Sequence, residues 1–95
     1  MTTQKRENPP YKKVREWIQA YGRPDVTDDR GVQDFMLCET LEEVRSLQVE
    51  LVAMAEGRFD EKILDDVIGM RRKGRYGSYN QWAKLMLQWI LAYKV

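Results

Sequence analysis

The C-terminal stretch, residues 78–93, is the most apolar part of the chain and limits the folds that the chain can adopt. Its side chains repeat at helical spacing, with Ala83, Leu87 and Leu91 widening the apolar face past half of the helix circumference. A helix this apolar is either the central member of a bundle or half of an interface between proteins. The face itself is formed by Trp82, Leu85, Met86, Trp89, Ile90 and Tyr93.

The N-terminal half of the chain predicts two further helices. A proline is well tolerated at the start of a helix, so a first helix follows Pro10 and ends before Gly22. The segment from Asp25 to Gly31 is predicted to be a linker or the start of a short second helix, capped by Thr27 or Asp28. Helical spacing of apolar residues in 32–36 supports that second helix.

Capping signals predict where the later helices begin. Thr40 opens a capping box for a third helix that carries Leu41 inward and stops at Gly57. Asp60 caps a fourth helix that runs to Gly74. Ser78 opens a second capping box at the start of the last helix.

These signals predict an all-α fold, a compact bundle of four to five helices with the C-terminal helix central. A chain of 95 residues forms one domain. We expect residues 1–9 to be a flexible basic arm and residues 10–95 to be a single helical domain. Cys38, the single cysteine, lies in an apolar run and is expected to be a buried, inert thiol.

Composition excludes several classes of site. The chain has no histidine and one cysteine, so it can form neither Ser-His-Asp or Cys-His catalytic groups nor the usual zinc sites. No catalytic motif is present, and we expect a protein that is not an enzyme and has no metal or cofactor. The N-terminus lacks the apolar core of a signal peptide, and no apolar run is long enough to span a membrane. We therefore expect a cytoplasmic protein.

Charge is strongly segregated along the chain although the formal net charge is only +1. Residues 1–24 have a net charge of +4, residues 25–70 have −9, and residues 71–95 have +6. In one interpretation, the basic helices at the two ends of the chain lie against the acidic middle segment. The alternative is a basic surface, formed by both ends, for an anionic partner.

The segment 71–79 concentrates this charge. It contains four cationic side chains and two tyrosines, and it leads into the N-terminus of the last helix, where free backbone N–H groups favour an anion. Cations in the last turn of a helix also complement its negative dipole end, which explains the same pattern without any ligand. The candidate anion- or nucleic-acid-binding residues are Arg71, Arg72, Lys73, Arg75, Tyr76, Ser78 and Tyr79.

Two functions are consistent with these features. The first is an interaction module that binds a protein partner, or a second copy of itself, through the apolar C-terminal helix. Leu87 and Leu91 lie on the flank of that helix and are the candidate interface residues. The second is a nucleic-acid-binding protein that uses the segment 71–79 and the basic N-terminal arm.

Overall fold

The computed structural model describes residues 10–93 of the chain and is built entirely from helices. No strand occurs between residues 10 and 93, which confirms the predicted all-α fold. None of the helices in this range is long and apolar enough to cross a membrane. The predicted arm, residues 1–9, lies outside the described residues. The helices are α1 (Lys12–Ala20), α2 (Asp28–Cys38), α3 (Leu41–Ala55), α4 (Glu61–Val67), α5 (Met70–Tyr76) and α6 (Tyr79–Ala92).

The C-terminal helix α6 is central, as its apolar composition predicts. It packs against α3, α2 and α5. The helical periodicity predicted that Leu85 and Trp89 belong to the core, but both are only half-buried. The side of α6 that faces the core is shifted toward Ala83, which is fully buried. Trp89 instead meets the ring of Tyr76 edge-on, with centroids 6.4 Å apart. The buried residues of α6 are Tyr79, Trp82, Ala83, Met86 and Ile90.

Three helix starts have the side-chain caps that the sequence predicts. Thr40 accepts a hydrogen bond from the backbone N–H of Glu43, and Ser78 accepts one from Gln81. Asp60 accepts from two backbone N–H groups of the first turn of α4. Each cap satisfies N–H groups that a helix cannot pair internally, so these boundaries are set by local sequence.

Helix α1 is capped by a residue from another helix. Tyr11, at its N-cap position, has a left-handed backbone (φ 60°) and provides no side-chain cap. The carboxylate of Glu50 in α3 accepts from the backbone N–H groups of Lys13 (3.1 Å) and Val14 (2.9 Å). A carboxylate there also complements the positive end of the helix dipole. The start of α1 is therefore attached to α3.

The fourth predicted helix is divided into two. Gly69 has a φ of +100°, a left-handed value that glycine adopts at little cost, and it separates α4 from α5. Gly74, predicted to end the helix, lies inside α5 instead. A glycine inside a helix costs roughly 1 kcal/mol relative to alanine. Tertiary contacts of Arg72 and Tyr76, on either side of Gly74, oppose that cost.

Two predicted core residues are exposed. Leu41, the first residue of α3, is 64% exposed, because α3 turns Val44, Leu47, Leu51 and Met54 inward. The prediction that Cys38 is buried is also wrong. Cys38 is the last residue of α2, one turn beyond buried Phe35, where the helix ends and no neighbour covers it.

Candidate functional site

A buried carboxylate, Asp28, joins three helices. It is the first residue of α2, it is only 3% exposed, and it is the one buried charged residue between residues 10 and 93. Arg72 of α5 binds it with two hydrogen bonds, from Nε (2.8 Å) and from Nη2 (2.7 Å). Trp82 of α6 donates its Nε1 hydrogen at 2.9 Å, and the Tyr76 hydroxyl lies at 3.3 Å. Two parallel N–H donors from one guanidinium form the strongest common ion-pair geometry.

The local sequence places these groups within reach of each other. Arg72 and Tyr76 are one helical turn apart on α5, so both side chains reach the same carboxylate. Nη2 of Arg72 also donates to the backbone carbonyl of Gly22 at 2.7 Å. A Cβ built on Gly22 would lie 2.6 Å from Cζ3 of Trp17 and 3.0 Å from Nη2 of Arg72. A side chain at position 22 would clash with the Trp17 ring and crowd the Arg72 guanidinium, so glycine fits here, where the α1–α2 loop approaches α5.

The Asp28 network changes the ionisation of its members. Burial by itself would raise the pKa of Asp28, but hydrogen bonds from Arg72, Trp82 and Tyr76 lower it below its ordinary value. The hydrogen bond with Asp28 likewise raises the pKa of Arg72, although burial opposes that change. Both groups are therefore charged at neutral pH, and each compensates the other.

This lowered pKa predicts acid sensitivity. The folded-state pKa of Asp28 lies below the unfolded value of about 3.9, so its contribution to stability is complete well above that pH. The contribution disappears as the pH falls through the folded-state pKa. We expect the free energy of unfolding, measured by urea titration, to fall below about pH 4. Asp28→Asn should reduce this pH dependence, and an identical acid profile in that variant would contradict the assignment.

A second polar cluster ties α6 to α4. The buried Tyr79 donates its hydroxyl hydrogen to Asp65 at 2.6 Å, and burial together with this bond raises the pKa of Tyr79. Lys73 forms an ion pair with Glu61, lies 3.9 Å from Asp65, and sits 5.4 Å from the centre of the Tyr79 ring. Basic α5 is thus bound to acidic α4. This is the internal charge pairing that was one of the two interpretations of the charge segregation along the chain.

Most of the predicted anion-binding segment is engaged within the protein. Arg72, Lys73 and Tyr76 contact carboxylates, Tyr79 is buried, and Ser78 caps α6. Arg71 and Arg75 are different, because they are exposed and line a cavity of about 240 Å³ between α5 and the α1–α2 loop. That the segment binds an anion stays a prediction, but these two side chains are the ones the structure leaves available.

The candidate interface residues of α6 differ in exposure. Leu91 is 81% exposed, whereas Leu87 is half-buried and packs against the core. Leu91 is one of several exposed apolar side chains in the described range. The others are Leu37, Leu41, Val49, Val52 and Met70.

A smaller cavity of about 100 Å³ lies between α1, α2 and α3. Its floor is apolar, and Lys13, Glu16, Glu39 and Glu43 surround it. Glu39 accepts a hydrogen bond from Tyr21 at 2.6 Å, and Lys13 bridges Glu16 and Glu43. The carboxylates are thus used internally, and residues 10–93 contain no group of three or more histidine, cysteine or acidic side chains suited to a metal ion.

Sequence reasoning missed the role of Asp28, which it weighed only as a helix cap. One signal pointed to it. A buried tryptophan usually finds an acceptor for its N–H group, and Trp82 is buried at the centre of an apolar helix face, although the equally buried Trp17 has no such partner. The sequence did not show which of the acidic residues provides that acceptor.

No family model matches this chain, and no curated protein or solved structure matches it either.

Proposed function

We propose that this protein is a non-enzymatic interaction module that binds a second copy of itself through the exposed face of α3. A strip of apolar side chains on that face carries the proposal. Leu41, Val49 and Val52 are 64%, 71% and 40% exposed. With Arg45 they follow the spacing i, i+4, i+8, i+11, which aligns them along one side of the helix. Apolar side chains gain free energy when a partner removes them from water.

Leu91 of α6 is a further exposed apolar side chain, at the C-terminal end of that helix. A Cβ built on Gly57 would lie 3.5 Å from Nδ2 of Asn80, so the end of α3 lies beside the start of α6. Two helices that pack together from this point run antiparallel. The C-terminal end of α6, with Leu91, therefore lies toward the Leu41 end of α3. The proposed contact is formed by the strip on α3 and does not depend on Leu91.

Charges on the strip favour a second copy as the partner. Twofold symmetric pairing places the same surface of both copies face to face, and a twofold axis perpendicular to α3 makes the two α3 helices antiparallel. When Val49 faces Val52 of the second copy, Arg45 faces Glu56 of the second copy. Each pair then occurs twice. Arg45 forms no ion pair within residues 10–93, and Glu56 pairs only with exposed Arg58 on the same surface loop.

The substitution Val49→Lys tests the strip. A lysine there puts an unpaired charge at the centre of the apolar contact, and burying such a charge is costly. We expect the wild-type protein to form a dimer at high concentration and the variant to be a folded monomer. Light scattering after size-exclusion chromatography measures the mass, and circular dichroism verifies the fold. A wild-type protein that stays monomeric at millimolar concentration would refute self-association through α3.

Charge reversal tests the geometry more closely. Arg45→Glu places like charges opposite each other and should weaken the dimer, whereas Arg45→Glu combined with Glu56→Arg should restore it. Lys62→Glu on α4 is the matched control, because it makes the same charge change at an exposed position away from the strip. If the control weakens the dimer equally, or the double variant is no better than the single one, this pairing is wrong.

A further inference from the structure

We propose that the cavity between α5 and the α1–α2 loop binds the phosphate group of a small phosphate monoester. The cavity has a volume of about 240 Å³, and four arginines line it. Three come from α5 and one, Arg23, comes from the loop. Pro24, Val26 and Ile68 add apolar side chains to the lining.

The charge that remains for a ligand comes from three of the four arginines. Asp28 lines the cavity too, but its carboxylate and the Arg72 guanidinium satisfy each other. Arg71 and Arg75 have no carboxylate within ion-pair distance among residues 10–93. Arg23 lies 3.5 Å from Asp25, and both side chains are exposed, so that pair is weak. The cavity therefore has an excess of positive charge.

Two of these arginines are placed to act together. Arg71 and Arg75 are four residues apart on α5, so they lie on the same side of the helix, with Arg23 across the cavity. A guanidinium presents parallel N–H donors that match the oxygen spacing of a phosphate. Three such groups around one cavity fit the charge and the three equivalent oxygens of a phosphate monoester.

The cavity walls are held in place before any ligand binds. Arg72 anchors α5 to Asp28 and to the carbonyl of Gly22, and Gly22 is itself packed against Trp17. The loop and the helix that present the arginines are thus fixed relative to each other. Preorganisation of this kind reduces the conformational cost of binding.

A phosphate monoester fits these surroundings better than a nucleic-acid strand does. Single-strand binding depends on aromatic rings that stack on bases. Tyr79 is buried and bonded to Asp65, and the Tyr76 hydroxyl is directed to Asp28. Lys73, the remaining cation of the segment, is paired with Glu61. The cavity offers one compact anion site without a neighbouring platform for a base.

Inorganic phosphate is the first probe. We expect a nitrogen-15 NMR titration at constant ionic strength to show saturable shifts confined to residues 22–28 and 68–76. Arg71→Gln with Arg75→Gln should weaken binding at least about tenfold, since each lost charge-assisted hydrogen bond contributes to affinity. Both side chains are exposed, so the variant should keep the wild-type melting temperature. The absence of saturable shifts in the wild-type protein would overturn the proposal.

Two further experiments distinguish phosphate binding at this site from general charge attraction and from nucleic-acid binding. Lys62→Gln with Lys84→Gln removes two exposed positive charges from α4 and α6, and it should leave phosphate binding unchanged. An equal loss of affinity in this control would overturn the site. Glycerol phosphate should bind at least as tightly as a short single-stranded oligonucleotide without a terminal phosphate. Binding of the oligonucleotide alone would overturn the assignment to a monoester.

Discussion

Replacing Asp28 with asparagine is expected to lower the free energy of unfolding by about 3–5 kcal/mol, the usual cost of leaving a buried charge without its partner. The side chain of Arg72 is 17% exposed, so its guanidinium would lose the carboxylate where little water can replace it. The total free energy of unfolding of a domain of this kind is roughly 5–15 kcal/mol. Urea denaturation followed by tryptophan fluorescence measures the change, because Trp82 contacts Asp28 directly.

A double-mutant cycle distinguishes a paired charge from simple packing. Arg72→Met together with Asp28→Asn removes both charges, and the double variant should be less destabilised than the sum of the two single variants. Additive effects would show that Asp28 and Arg72 do not compensate each other. An Asp28→Asn variant with wild-type stability would contradict the buried ion pair itself.

Truncating Trp82 to alanine is the second change with a large expected effect. Trp82 is fully buried in α6 and its ring meets Trp17 edge-on at 6.2 Å, so a large cavity would remain. We expect a loss of about 3–5 kcal/mol in the free energy of unfolding. Trp82→Phe keeps most of the buried ring but removes the N–H donor to Asp28, and should cost about 1–3 kcal/mol. Thermal and urea unfolding measure both.

Trp89→Ala is the matched control on the same helix. Trp89 is half-buried and packs at the edge of the core, so less apolar surface is lost when it is truncated. The free energy of unfolding should be highest for the wild type, lower for Trp89→Ala and lowest for Trp82→Ala. If truncation of Trp89 costs as much as truncation of Trp82, the buried face of α6 has been assigned incorrectly.

The two proposed binding surfaces lie on different helices, so their variants can be interpreted separately. The apolar strip belongs to α3, whereas the arginine cavity belongs to α5 and the α1–α2 loop. Substitutions at Val49 do not change the cavity lining, and substitutions at Arg71 and Arg75 do not change the strip. Loss of dimerisation with retained phosphate binding, or the reverse, therefore tests each proposal by itself.

Some features of this fold follow from short-range chemistry, and for these the sequence was sufficient. The side-chain oxygens of Thr40, Asp60 and Ser78 reach N–H groups two or three residues away, so their caps depend only on neighbouring residues. The apolar face of α6 likewise arises from a repeat within one helix, and it predicted the central position of that helix.

Other features depend on residues that are distant along the chain. Arg72 binds a carboxylate 44 residues away, and Glu50 caps α1 by accepting from the N–H of Lys13, 37 residues before it. A run of cations looks the same in sequence whether it complements a helix dipole, pairs with a distant acid or remains available for a ligand. The division of the fourth helix at Gly69 rather than Gly74 has the same origin, because contacts of Arg72 and Tyr76 stabilise the helix around Gly74. Local patterns report backbone preference and periodicity, but only tertiary packing decides which charges meet and which stay exposed.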